Sequence, residues 1–251
     1  MNDFQSSALY VYGFVRAGAL RKFRQEGVGG AEATVLDGDG IAAIVSPLKT
    51  TDMRLKRRDL HRHLQVIEAA FKATTIIPCA FGTTVESGAE LEEGVLAGAR
   101  DDLLAGLDRL NGTVQMNVKA TYDEEELLRE IVAADPQVAE LRVRTRDTGD
   151  AGYYDRLRLG ELVAARIEER AASDAERVVE ALAGNAADVV VERRESGSAL
   201  KASFLVRRKL LARFDSALET LAREEQPVLS FEAIGPLPPT AFAEAYARIG
   251  A

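Results

Sequence analysis

The chain has 251 residues, with 32 Lys and Arg against 40 Asp and Glu, a net charge of −8 and 47% hydrophobic residues. At roughly 150 residues per domain that is one large domain or two modest ones, with the makeup of a globular rather than a disordered protein. The acidic balance speaks against nucleic acid or an anionic membrane as the default partner. Apolar runs of at most five residues (Ala8 to Tyr12, Ile41 to Val45) exclude an unaided bilayer crossing, which takes about 20.

The stretch Ala8 to Val15 is aromatic and β-branched and predicts a strand. A short helix is expected over Ala17 to Gln25, ended by Gly27, Gly29 and Gly30. Ala33 to Leu36 and Ile41 to Val45 read as two strands joined by Asp37-Gly-Asp-Gly40, a hairpin signal because Gly accepts positive φ. Asp52 then opens a long helix whose face is Leu60, Leu64, Ile67 and Phe71. Thr74 to Phe81 is a strand interrupted by Pro78, and a residue that cannot donate to a ladder belongs on an edge or a bulge. Residues 86–110 predict a helix with Leu91, Val95, Ala99, Leu103, Leu107 and Leu110 on one face, ended by Asn111-Gly112.

Thr113 to Tyr122 alternates apolar and polar residues as a half-buried strand does. A helix from about Asp123 to Ala134 stops at Asp135-Pro136, and a second helical piece precedes the polar gap Thr145 to Gly152. Tyr153 to Ala183 reads as one helix or two, since Ser173-Asp-Ala-Glu176 is a capping-box pattern inside it. Strands Asp188 to Arg193 and Leu200 to Arg207 flank the loop Glu195 to Ser198. Leu210, Phe214, Leu218 and Leu221 mark the next helix, and Pro227 to Ile234 the last strand. The tail Gly235-Pro-Leu-Pro-Pro239 is expected to run extended and exposed, before a short helix from Thr240. Both halves show the order β-α-β-β-α-β. The expected class is therefore α+β in two domains, 1–110 and 111–251, each a ferredoxin-like (split βαβ) antiparallel sheet packed by helices, the second with helical insertions.

The chemistry inventory is thin: two histidines, one cysteine and no tryptophan. His61 and His63 point about 160° apart on a helix, too far to hold one ion, and each lies on a flank of the leucine face. Cys79, alone and in an apolar strand, cannot form an internal disulfide and reads as an inert buried thiol of a reducing compartment. The segment MNDFQSSAL has neither a basic n-region nor an apolar core, so export is not expected. Phe81-Gly82-Thr83-Thr84 lacks the spacing and lysine of a phosphate loop, and Gly27 to Gly30 reads as a turn. Arg54-Leu-Lys-Arg-Arg58 with Arg62 is a solvated helix face or, as a second reading, a docking patch for an acidic partner. No cofactor or metal is expected.

Several segments in order resemble the GvpL/GvpF family of gas vesicle proteins. They are Leu9 to Val15, Ala42 to Pro47, His61 through Ile76-Ile-Pro-Cys-Ala-Phe-Gly-Thr-Thr84, Gly112 to Lys119, Ala202 to Val206, and Ile234-Gly-Pro-Leu-Pro-Pro239. The chain departs from the family pattern at Leu237, where Trp is usual, at Thr240-Ala-Phe242, and at Gln115, where an acid is usual. The resemblance implies a non-catalytic role in building gas vesicles, located at the vesicle and in the cytoplasm. The implied partners are the hydrophobic shell protein and other gas vesicle accessory proteins, with no nucleic acid and no membrane. Two surfaces are expected to receive them: the sheet edge with Pro78, Phe81 and Gly82, and the tail with Pro236, Leu237, Pro238, Pro239 and Phe242. The alternatives are a haem enzyme using His61 or His63 and a regulatory small-ligand binder.

Overall fold

Tyr10, Tyr12 and Phe14 alternate with Leu9, Val11 and Val15 in β1 (Leu9–Arg16), and all six are buried. A strand apolar on both faces belongs inside a sheet. In the computed structural model, which describes residues 7–48, 55–146, 152–243 and 246, β1 lies between β4 (Ile41–Pro47) and the short β5 (Ile77–Pro78). β2 (Gln25–Glu26) and β3 (Glu32–Asp37) continue the sheet beyond β4, and β6 (Thr84–Val85) also pairs with β1. β3 and β4 form the expected hairpin, closed by the Gly38 N–H on the Ile41 carbonyl at 2.8 Å. The expected strand Thr74 to Phe81 shrinks to two residues at the sheet's edge, where Pro78 has no ladder bond to lose.

Gly13 marks the closest approach in this sheet. A Cβ there would lie 2.5 Å from the Ile77 carbonyl oxygen and 2.9 Å from Ile76 Cδ1. Gly13→Ala therefore has to push β5 off β1, and we expect a loss of about 3 kcal/mol, near the upper end for overpacking. A urea midpoint unchanged from wild type will refute this.

No helix forms over Ala17 to Gln25. Turns run from 17 to 22, and β2 takes the last residue, Gln25. Gly18 sits at φ +75, which stops a right-handed helix at its second residue, while Leu20 and Phe23 turn into the core around Tyr10 and Tyr12. The N-terminal sheet thus lacks the first crossover helix of the expected split βαβ set.

The long helix α1 spans Arg57–Ala73; its expected opening at Asp52 lies outside the described residues. Its buried face is Asp59, His63, Val66, Ile67 and Ala70, so Leu60 and Leu64 are left outside and His63 is core, not flank. The 86–110 helix is broken into α2 (Gly88–Glu90), a π-helical segment Leu91–Ala97, and α3 (Arg100–Leu110). The wide π turn explains a buried Leu96 where Val95 is expected: Leu91 to Leu96 is one five-residue step, after which Leu103, Leu107 and Leu110 resume the normal period.

A second sheet has the order β10-β7-β9-β8. β7 (Thr113–Tyr122) is followed by α4 (Glu124–Ala134), α5 (Pro136–Thr145) and α6 (Tyr153–Ala183). The hairpin β8 (Asp188–Val191) and β9 (Ser198–Arg207), α7 (Leu211–Glu224) and β10 (Leu229–Leu237) complete it. Asp135 caps α5 by accepting from the Gln137 and Val138 N–H groups, which is why Asp-Pro ends one helix and starts another. The polar gap after Thr145 falls partly on residues 147–151, outside the described residues. α6 runs unbroken through Ser173, so the capping pattern there caps nothing. β10 continues through Gly235 and Pro236 as an edge strand rather than ending at Ile234.

The chain divides into two compact units, Met1–Gln115 with Pro236–Ala251, and Met116–Gly235. This differs from the expected division at 110, which left the tail with the second half. Among the described residues no helix is long and apolar enough to cross a membrane.

Candidate functional site

Two tyrosines two apart on β1 reach the same face and meet α1. Tyr10 Oη lies 3.0 Å from His63 Nδ1 and accepts the Gly82 N–H at 2.9 Å. Tyr12 Oη lies 2.9 Å from Ser46 Oγ and accepts the Val28 N–H at 2.7 Å. The His63 ring stacks on Tyr12 with centroids 5.8 Å apart and meets Tyr10 edge-on at 5.7 Å. Asp59, one turn earlier, accepts from the N–H of Lys56 at 2.9 Å and of Gly29 at 3.2 Å, closing the start of α1 and tying the 28–30 turn to it. Arg62 pairs with Glu26 on the outside of the same turn.

Burial lowers the His63 pKa to about 4, only partly offset by its hydrogen bond to the Cys79 backbone. The ring is therefore neutral at pH 7, with one N–H for the Cys79 carbonyl and Nδ1 open to the Tyr10 hydroxyl. Burial raises the Tyr10, Tyr12 and Cys79 groups above their usual ranges. Both His63 nitrogens are engaged, so iron ligation would break two buried hydrogen bonds, and Cys79 has no field to make a thiolate. Among the described residues no buried side-chain nitrogen or oxygen lacks a partner. The cluster is a saturated polar pin inside an aromatic core.

In the second unit, a cavity of about 770 Å³ is lined by Glu130, Asp135, Arg166 and Arg170. Its charges neutralise one another, Arg166 with Asp135 at 2.6 Å and Arg170 with Glu130 at 3.0 Å.

The pin presents one side chain to solvent. Phe81 is 38% exposed and packs edge-on against His63, with centroids 5.6 Å apart. Of its expected companions, Pro78 is buried, and Gly82 is half-buried with its N–H committed to Tyr10.

The tail differs from expectation. Pro236 is exposed and Leu237 half-buried, but Pro238, Pro239 and Phe242 are buried, Phe242 at 5%. The cause is Gln115, itself buried: its Oε1 accepts the Ala241 N–H at 2.9 Å and faces Thr240 Oγ1 at 3.5 Å. Further on, Arg109 donates to the Tyr246 hydroxyl at 3.2 Å. The tail is an internal anchor of the first unit, and Pro238, Pro239 and Phe242 are not available to a partner.

Sequence reasoning missed the exposed Leu60 and Leu64, and a second exposed group, Val143, Tyr153, Tyr154 and Leu157, at the ends of α5 and α6. The Tyr-Tyr pair beside a polar gap was the available signal for the latter.

The family model of the gas vesicle synthesis protein GvpL/GvpF matches residues 8–244. The chain belongs to the GvpL/GvpF family. Gas vesicle protein F of Streptomyces sp. (strain CB03234) is 34% identical over 239 residues, covering 94% of this chain and 99% of that protein. Gas vesicle protein F of Haloferax mediterranei is 28% identical over 243 residues, covering 95% and 94%. The crystal structure of GvpF from Anabaena sp. PCC7120 shares the fold at a TM-score of 0.83 and 20% identity, covering 95% of this chain and 99% of that one. GvpF from Microcystis aeruginosa does so at 0.75 and 18%, with the same coverage. This GvpL/GvpF member is therefore α+β with two antiparallel sheets, and a gas vesicle protein.

Proposed function

We propose that the chain is a gas vesicle assembly factor of the cytoplasm and the vesicle, which binds the hydrophobic shell protein and other accessory proteins during vesicle nucleation and growth. The observation that supports this most is family membership along residues 8–244, in a chain whose buried side-chain nitrogens and oxygens, those of His63 included, are all satisfied internally among the described residues. An aggregation-prone subunit has to be held soluble until it joins a wall, and a net charge of −8 supplies solubility to the holder. Phe81, exposed on a rigid support, is the contact we assign to the client at the sheet edge, with Pro236 and Leu237 as the accessible part of the tail. We also read the second unit as a split βαβ sheet, supported by its strand order and by helices between β7 and β8 and between β9 and β10.

The test is co-production with the shell protein followed by affinity capture. Phe81→Asp is expected to stay folded and to lower capture about tenfold, as loss of an aromatic anchor does. Undiminished capture by folded Phe81→Asp, or no capture by wild type, will count against the reading. Phe242→Asp behaves differently: a carboxylate forced into a buried aromatic site costs about 4 kcal/mol, so thermal unfolding moves before any binding is lost.

A further inference from the structure

The apolar stripe that the sequence writes on α1 is not used up by the fold. At about 100° per residue, Leu60, Phe71 and Leu64 fall within an arc of about 40°, with Ile67 bordering it. Ile67 is buried and Phe71 half-buried, yet Leu60 and Leu64 are 39% and 43% exposed. The rotation of α1 is fixed by two polar side chains, Asp59 on the Lys56 and Gly29 N–H groups and His63 on Tyr10. They hold the leucines at i and i+4 out of the core, although burying them would be favourable by itself.

The exposed border of this ridge carries Arg57 and Lys72, about 20° and 80° beyond Leu64, with Glu68 between them; with Lys56 at the start of the helix it is net cationic in an otherwise acidic chain. Lys56, Arg57 and Lys72 are exposed, and among the described residues none of the three has an acidic partner at ion-pair distance. Glu68 is the one exposed acid on the helix. A two-leucine ridge on a helix is the shape that a second amphipathic helix packs against, and unpaired cations beside it select an acidic border and repel a basic one.

We infer that the Leu60–Leu64–Phe71 ridge seats an amphipathic helix of a gas vesicle partner whose polar border is acidic, facing Arg57 and Lys72. This rests on the docking function proposed above and names the chemistry of what docks. The experiment uses the full chain co-produced with gas vesicle proteins, with a photoreactive benzoylphenylalanine in place of Leu64 and crosslinks located by mass spectrometry. Crosslinks are expected in a helical segment with apolar residues three and four apart and Asp or Glu beside them. The pair Leu60→Asp and Leu64→Asp should lower capture of that partner about tenfold or more. The pair Arg57→Glu and Lys72→Glu should lower it about tenfold at low salt and less at high salt.

Crosslinks to a second copy of this chain, to lipid or to a basic-bordered segment will overturn the inference, as will unchanged capture by both pairs. If Phe81→Asp loses the partner while both α1 pairs keep it, this inference falls and the proposed function stands. If wild type captures no gas vesicle protein, both fall.

Discussion

Lowering the pH from 6.5 to about 4 will cost the fold about 3 kcal/mol through one side chain, His63. Its ordinary pKa is 6.5 and burial lowers the folded value to about 4. Over that window the unfolded chain binds a proton that the folded chain refuses, so stability is complete above pH 6.5, falls as the pH drops and levels off below about 4. At about 1.4 kcal/mol per unit, the interval of about 2.5 units gives the figure. Urea unfolding of wild type and His63→Gln from pH 7 to 4 will check it. The Gln amide can accept from Tyr10 and donate to the Cys79 carbonyl but does not titrate, so the variant should lose the extra slope. Parallel wild-type and His63→Gln curves will refute the assignment.

The neighbouring acid does not blur that window. Burial would raise the Asp59 pKa, but the N–H groups of Lys56 and Gly29, with Arg58 and Arg62 nearby, bring it below its usual 3.8. Its contribution is present above the ordinary value and fades only at lower pH. Tyr10, Tyr12 and Cys79, the other titratable groups against the ring, are pushed up and stay protonated throughout.

The ring that makes this prediction was poorly legible in the sequence, and the reason is physical. Periodicity found the Leu60, Leu64, Ile67, Phe71 stripe correctly, but a stripe reports that apolar residues share a side, not that the side meets the chain's own core. Hydrogen bonds at Asp59 and His63 decide the rotation, and their partners, Gly29 and Tyr10, lie 30 and 53 residues away. The π turn at Leu91–Ala97 breaks the assumed 3.6-residue period itself. Prolines that interrupt a regular ladder predict an exposed tail, yet burial of Phe242 goes with an acceptor at Gln115, 126 residues before Ala241. What local rules govern came through: the two-faced apolar strand at Leu9, the Asp37–Gly40 hairpin, the Asp-Pro break at 135, and Pro78 at a sheet edge. The family was legible because its motifs are spread along the whole chain, where no single contact can mislead.

Asp174→Ala should destabilise the second unit by about 3 kcal/mol. The carboxylate is 2% exposed and takes the Tyr122 hydroxyl at 2.7 Å, Arg170 Nε at 3.0 Å and Arg177 at 2.5 Å, while Arg177 also pairs with Glu225. It pins the middle of α6 to the end of β7; its removal orphans the Tyr122 hydroxyl and leaves Arg170 and Arg177 with one carboxylate each, Glu130 and Glu225. Breaking a buried ionic cluster costs about 3–5 kcal/mol. The lower end applies because the side chains of Arg170 and Arg177 remain 37% and 42% exposed and can be solvated. Asp174→Asn keeps an acceptor for Tyr122 and should lose about half as much. A double-mutant cycle with Tyr122→Phe isolates the Tyr122–Asp174 bond, with an expected coupling of about 1–2 kcal/mol. If Asp174 is only an exposed first-turn acid of a helix capped by Ser173, as the Ser173–Glu176 pattern suggests, Asp174→Ala will cost under about 1 kcal/mol. The coupling to Tyr122 will then vanish.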